Sequence, residues 1–178
     1  MNNIIAIDPA LNKTGVAQVY GGELEVYTFR PMTKHRVKRL NEHFHHWWPK
    51  LHHRPPDLCI LEDYAYATHG GSVMQIGELG GILRLALHWS GVPYVFVNPS
   101  TVKMIALGKG GGKGVDKTAV LLAARDRLGY EGKSNDEADA RWLLELAFQH
   151  YGHPLQAKLP KTHTRALAKV AWPGEPLI

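Results

Sequence analysis

Residues 4–15 read Ile-Ile-Ala-Ile-Asp-Pro-Ala-Leu-Asn-Lys-Thr-Gly. The run Ile4 to Ile7 has the length and apolarity of a buried strand, and Asp8-Pro9 ends it. In open α/β sheets the strand ends line the crevice where chemistry is done, so an acid at the end of the first strand marks a candidate site. The segments downstream decide the kind of sheet. Thr14 to Tyr20 and Glu23 to Arg30 read as two more strands, with Gly21-Gly22 as a hairpin turn. Thr33 to Leu51 has helical spacing through Val37, Leu40, Phe44, Trp47 or Trp48, and Leu51, and Pro55-Pro56 ends it. Asp57 to Glu62 is another buried strand, Ser72 to Trp89 a long apolar helix stopped at Gly91, and Val92 to Val97 a fifth strand.

Asn98-Pro-Ser opens a short helix to about Leu107. Asp116 begins a helix that closes at Gly129, and Ser134-Asn-Asp-Glu137 resembles a capping box opening a last main helix to about His150. Three hairpin-linked strands succeeded by βαβ alternation predict a central mixed five-stranded sheet flanked by helices, in the α/β class. The chain shows no internal repeat and no interdomain linker. Its 178 residues favour one domain with a core of its own.

Composition narrows the function. Lys plus Arg outnumber Asp plus Glu by 21 to 16, which points towards polyanionic partners. The single cysteine, Cys59, excludes an intrachain disulfide and reads as a small buried hydrophobe in Leu58-Cys-Ile-Leu61, in keeping with a reducing cytoplasmic setting. The N-terminus lacks the basic region of a signal peptide. The best membrane-span candidate, Gly80 to Ser90, is broken by Arg84 and His88, so no membrane partner is expected.

Four carboxylates carry the chemistry. Asp8 ends the first strand and Glu62 the fourth. Asp136 and Asp139 lie three apart at the start of a helix and share a face. Each has an ordinary explanation alone: a turn at Asp8-Pro9, a favourable helix dipole for acids in a first turn, a solvated strand end at Glu62-Asp63. Together they form a set that would repel itself and bind protons unless a divalent cation neutralised it. Oxygen-only ligands suit Mg²⁺ or Mn²⁺, and two such ions stabilise the attacking and leaving oxygens in phosphodiester cleavage. Alternation favours Glu62 over Asp63, because Leu58, Ile60 and Glu62 share one strand face.

The basic side chains fall in three groups. Lys34-His-Arg-Val-Lys-Arg39 is a cationic run whose Lys34 and Arg36 are candidate phosphate contacts. His43-Phe-His-His46 and His52-His53 lack the further ligands of a zinc motif and read as surface histidines. The loop Gly108-Lys-Gly-Gly-Gly-Lys-Gly114 invites a nucleotide reading, but it fails the P-loop pattern at two places: Leu107 stands where the first glycine belongs, and Gly114 replaces Ser or Thr. No nucleotide cofactor is therefore expected. The loop reads as a basic segment whose glycines admit a DNA phosphate and whose Lys109 and Lys113 add charge.

Ile7-Asp-Pro-Ala-Leu-Asn-Lys-Thr-Gly15, Leu58-Cys-Ile-Leu-Glu62 and Asn135-Asp-Glu-Ala-Asp-Ala140 resemble, in order, three motifs of RuvC-type Holliday junction resolvases, members of the RNase H-like superfamily. The likeness spans about residues 3–150. It implies an RNase H-like nuclease domain over residues 1–152, with residues 153–178 as an added basic tail. It implies that Asp8, Glu62, Asp136 and Asp139 bind two Mg²⁺ or Mn²⁺ ions. It also implies that a homodimer cuts a four-way DNA junction symmetrically, leaving 5′-phosphate and 3′-hydroxyl ends. Lys103 and Lys117 match the contexts of basic residues that contact phosphate near the scissile bond, Lys117 as a catalytic group. Cellular members place a base-stacking aromatic where this chain has Ala65; Tyr64 and Tyr66 flank it and either can stack on a base. The expected setting is the cytoplasm, a host's if the chain is phage-encoded. Other classes remain open: an RNase H-like nuclease for branched DNA or RNA–DNA hybrids, and a non-catalytic junction-binding protein, against which the four acids argue. A sugar-kinase-like nucleotide site would need a longer chain.

Overall fold

The computed structural model describes residues 3–63, 72–156 and 158–173. Strands β1 (Asn3–Asp8), β2 (Thr14–Tyr20) and β3 (Glu23–Phe29) come first, then α1 (Arg36–His53), β4 (Leu58–Glu62), α2 (Ser72–Ser90) and β5 (Tyr94–Val97). Four helices complete the chain: α3 (Pro99–Leu107), α4 (Lys117–Leu128), α5 (Asn135–His150) and the short α6 (Lys161–Thr164), with a 3-10 turn at Leu167–Lys169. The five strands make one sheet in the order β3-β2-β1-β4-β5. The first three are antiparallel, and β1, β4 and β5 are parallel. This is the mixed five-stranded sheet expected. Gly21 and Gly22, both at positive φ, make the tight β2–β3 turn, and α1 and α2 supply the crossovers that parallel pairs require.

Strand alternation splits the interior into two cores. Ile4, Ala6, Ala17, Val19, Leu58, Ile60, Val95 and Val97 face α3, α4 and α5. Ile5, Ile7, Val16, Cys59 and Leu61 face the other way, against Trp47 and Leu51 of α1 and Leu79, Leu83 and Leu87 of α2. With a period of two, Asp8 continues the Ile4–Ala6 series and Glu62 the Leu58–Ile60 series. Both acids therefore emerge on the α5 face, at the carboxyl edge of the parallel strands. Cys59 is fully buried, and burial pushes its thiol above the ordinary range.

Two readings of α1 change. The helix begins at Arg36 rather than Thr33, because the His35 ring accepts the Lys38 N–H and caps it. His43 and His46 are not surface histidines. His43 is fully buried, and His46 stacks on Phe29 of β3 with ring centroids 3.9 Å apart. Burial, with help from Lys50, pushes His46 down to about 4, so it packs as a neutral ring. Histidine passes for polar in a composition count, yet a neutral imidazole against an aromatic strand face behaves as a flat apolar group.

The segment after α5 is folded back onto the domain. Leu159, Ala166 and Val170 belong to the same core as α3, α4 and α5, and Trp172 stacks on His150 with centroids 4.1 Å apart. No helix among the described residues is long and apolar enough to cross a membrane.

Candidate metal centre

The first two acids meet because β1 and β4 are neighbours in register, with Ile7 opposite Leu61. The third comes from α5. Gly15 of β2 is the register partner of Asp8, and a Cβ built there would lie 1.9 Å from the backbone oxygen of Asp136. The first turn of α5 thus rests directly on the strand backbone, which only glycine permits. Ser134 caps the helix, accepting the Glu137 N–H at 3.3 Å. The Glu137 carboxylate does not complete the reciprocal capping box. It accepts from Thr28 Oγ1 on β3 and, at 2.6 Å, from the Tyr130 hydroxyl, and so ties the helix start to the sheet. The turn after Asp8 is pinned by Thr14, whose Oγ1 donates to the Ala10 carbonyl at 2.8 Å and accepts the Ala10 N–H at 3.2 Å.

As a result, Asp8, Glu62 and Asp139 each offer an oxygen within 4.8 Å of the other two. Burial and mutual repulsion hold these groups far from their ordinary titration. Asp8 is pushed up to about 8, first by burial, then by Asp139 and Asp136, with Lys117 opposing. Glu62 is raised well above the carboxylate range by burial, then by Asp8 and Asp139, against Lys117 and Lys103. Asp139 is pushed up to about 6 by burial, with Lys117 and Lys103 opposing and Asp136 adding. Without a cation Asp8 holds its proton at neutral pH, and burial and repulsion disfavour the charged forms of Glu62 and Asp139 as well. A divalent ion exchanges for those protons and removes the repulsion, and an all-oxygen donor set fits a hard cation.

Asp136 lies outside the three-carboxylate group, one turn before Asp139, and acts on Asp8 and Asp139 through its charge. Lys103 on α3 is half-buried and Lys117, the first residue of α4, is exposed; both charges reach the cluster. Lys109 and Lys113 are exposed on the glycine-rich loop, where Lys109 donates to the Lys113 carbonyl at 2.7 Å. A Cβ on Gly110 would stand 2.7 Å from the Ser100 carbonyl, so the loop curls back over the start of α3. Lys34 is exposed, while Arg36 is engaged by both carboxylate oxygens of Glu78 on α2. Tyr64 and Tyr66 lie outside the described residues.

Arg39 belongs to the basic run in the sequence, but it is nearly buried. It donates to Asn12 at 2.8 Å, in the turn after Asp8, and to Gln75 at 2.7 Å, near the start of α2. Neither this brace nor the tie from Glu137 to Thr28 could be read from spacing, because Asn12, Gln75 and Thr28 are each distant in sequence from the residue they meet.

No family model matches the chain. Among curated proteins, crossover junction endodeoxyribonuclease RuvC of Mycobacterium ulcerans is 29% identical over 175 residues, covering 92% of this chain and 91% of the relative. RuvC of Mycobacterium tuberculosis is 27% identical over 179 residues, covering 94% and 92%. Among solved structures, Thermus thermophilus RuvC superposes with a TM-score of 0.66 at 20% identity, covering 87% of this chain and 99% of that one.

Proposed function

We propose that this chain, a RuvC-type protein of RNase H-like fold, is a structure-selective endodeoxyribonuclease that resolves four-way DNA junctions by metal-dependent phosphodiester hydrolysis. The observation that carries the reading is the Asp8–Glu62–Asp139 cluster at the sheet edge, all within 4.8 Å, in a chain that aligns with RuvC relatives over nearly its whole length.

The three carboxylates, with Asp136 adding charge at the rim, would hold two Mg²⁺ or Mn²⁺ ions. When bound, such ions activate water and neutralise charge that develops on the phosphate. The rest falls to the protein. Asp8 would be one of the ligands, and the strand register fixes it between Gly15 and β4. Lys117 places a cation beside the scissile phosphate, where charge grows in the transition state, and Lys103 supports it from α3. Lys109 and Lys113 hold the backbone of the DNA, as Lys34 does at the start of α1. Arg36 is charge-balanced by Glu78 and contributes less. Tyr64 and Tyr66 come just after the Glu62 strand end and are assigned to stacking on a base at the branch.

Two such sites are needed to cut a junction symmetrically, so the working unit is a homodimer. The exposed side of α2 supports this: Met74, Leu85 and Trp89 are 70%, 42% and 56% exposed, and a Cβ on Gly77 or Gly81 would meet nothing. A large apolar face interrupted by glycines suits close packing against a second copy.

The test presents the protein with a four-way junction, a plain duplex of the same sequence and an RNA–DNA hybrid, each with Mg²⁺. Cleavage confined to the junction is expected. Faster cleavage of the hybrid would replace the resolvase reading with a ribonuclease one, and tight junction binding without cleavage in any divalent ion would leave a binding protein.

A further inference from the structure

The segment after α5 contains basic residues that the carboxylate site does not use. From Lys158 to Pro173 the chain has Lys158, Lys161, Arg165 and Lys169 and no acid. Its buried side chains are Leu159, His163, Ala166 and Val170, while all four cations are exposed. Arg165 and Ala166 have right-handed helical backbone between α6 and the 3-10 turn, so Lys161, Arg165 and Lys169 recur at four-residue intervals along one outward side. None of the four cations enters an ion pair among the described residues.

The same segment grips the base of the glycine-rich loop. The His163 ring lies between two groups: Nδ1 is 2.7 Å from the Ile105 carbonyl, and Nε2 is 3.2 Å from Arg127 Nη1. The carbonyl requires the proton on Nδ1, which leaves Nε2 to accept from Arg127. Arg165 donates to the Gly108 carbonyl at 2.8 Å. Gly108 is the left-handed residue that ends α3, and a Cβ there would stand 3.1 Å from His163 Nε2. The residue that opens the Lys109–Lys113 loop is therefore held directly by the C-terminal segment.

We infer that residues 158–169 and the glycine-rich loop form one phosphate-contacting surface, which holds the backbone of a duplex DNA arm away from the carboxylate cluster. The inference rests on the reading of the chain as a junction nuclease. His163 and Arg165 are positioning residues for the loop; Lys158, Lys161 and Lys169 are the phosphate contacts. Three exposed cations along one side, with Lys158 exposed just before them and no acid in the segment, concentrate positive potential there, and duplex DNA is the polyanion that the neighbouring site handles. The contacts are to phosphate, so they strengthen binding without adding sequence preference.

The experiment titrates salt against binding of a four-way junction and of a plain duplex, in an Asp8→Asn background so that nothing is cut. Replacing Lys158, Lys161 and Lys169 together by Ala should lower the slope of log K against log salt by about 2 to 3, since each lost phosphate contact removes about 0.9. Binding should weaken about tenfold or more near physiological salt. The loss should appear on both DNAs, and Arg at the three positions should restore the slope. The melting temperature should not move, because all three side chains are exposed. An unchanged slope in a protein whose parent chain cuts junctions would overturn this inference alone. A parent chain that binds no branched DNA would overturn the functional reading with it.

Discussion

On the proposed function, Asp8 is the residue on which the chemistry would turn. It is a carboxylate that the fold buries beside two others and that stays protonated up to about pH 8 without a cation. Its position has two measurable consequences. Asp8→Asn keeps the shape and removes the charge, so junction binding should survive while cleavage falls by more than about 100-fold, the upper end of what losing an outer-shell metal partner costs. Gel-shift and cleavage assays on the same preparation check it. The second concerns pH. In the unfolded chain Asp8 loses its proton near 3.8; in the folded chain it keeps it to about 8, and Asp139 keeps its own to about 6. Between these values the native state binds more protons, so the metal-free protein should lose stability as pH rises from about 4 to 8. Added Mg²⁺ should raise the melting temperature more at pH 8 than at pH 5, and Asp8→Asn should flatten both trends. Scanning calorimetry in EDTA and in Mg²⁺ decides the matter, and a metal-free protein that gains stability towards pH 8 would contradict it.

At the scale of the elements, the site depends on how α5 lands on the sheet. The strand-end acids were legible because they continue visible alternations, Ile4–Ala6–Asp8 and Leu58–Ile60–Glu62. The pair on α5 was legible as a capped helix start with acids three apart. What lay beyond the sequence was the docking itself: Gly15 under the Asp136 backbone, and Glu137 turned away from its cap towards Thr28 and Tyr130. Those contacts join residues about 110 positions apart in the case of Thr28 and Glu137, and no local period records them. Gly15→Ala tests the docking. Its methyl cannot occupy 1.9 Å from a backbone oxygen, so α5 must lift, at a cost of about 1–3 kcal/mol, as for an overpacked core. Cleavage should fall along with stability, whereas Gly111→Ala, with open space around it in the glycine-rich loop, should leave stability near wild type. Thermal melts of the two variants check it. Two histidines of α1 show the opposite failure: composition marks His43 and His46 as polar, and only the packing on Phe29 turns them inward, while His45, His52 and His53 are exposed as expected.

For the whole molecule, the arrangement is a three-layer domain with the carboxylates at one sheet edge, an apolar stripe on α2, and a cationic strip beside the glycine-rich loop. Glu placed at both Leu85 and Trp89 should turn a dimer into a monomer in sedimentation velocity, and paired cuts into single, uncoordinated nicks. A wild-type chain that sediments as a monomer with its junction bound would contradict the dimeric reading. The three carboxylates and the four-way junction are tested together most directly by mapping both cuts at once. A junction labelled on its two opposing strands is incubated with wild type and with Asp8→Asn, in Mg²⁺ and in EDTA. The expected result is a pair of symmetric cuts with ligatable 5′-phosphate and 3′-hydroxyl ends, from wild type in Mg²⁺ alone. Equal cutting by Asp8→Asn, or cutting that persists in EDTA, would contradict it.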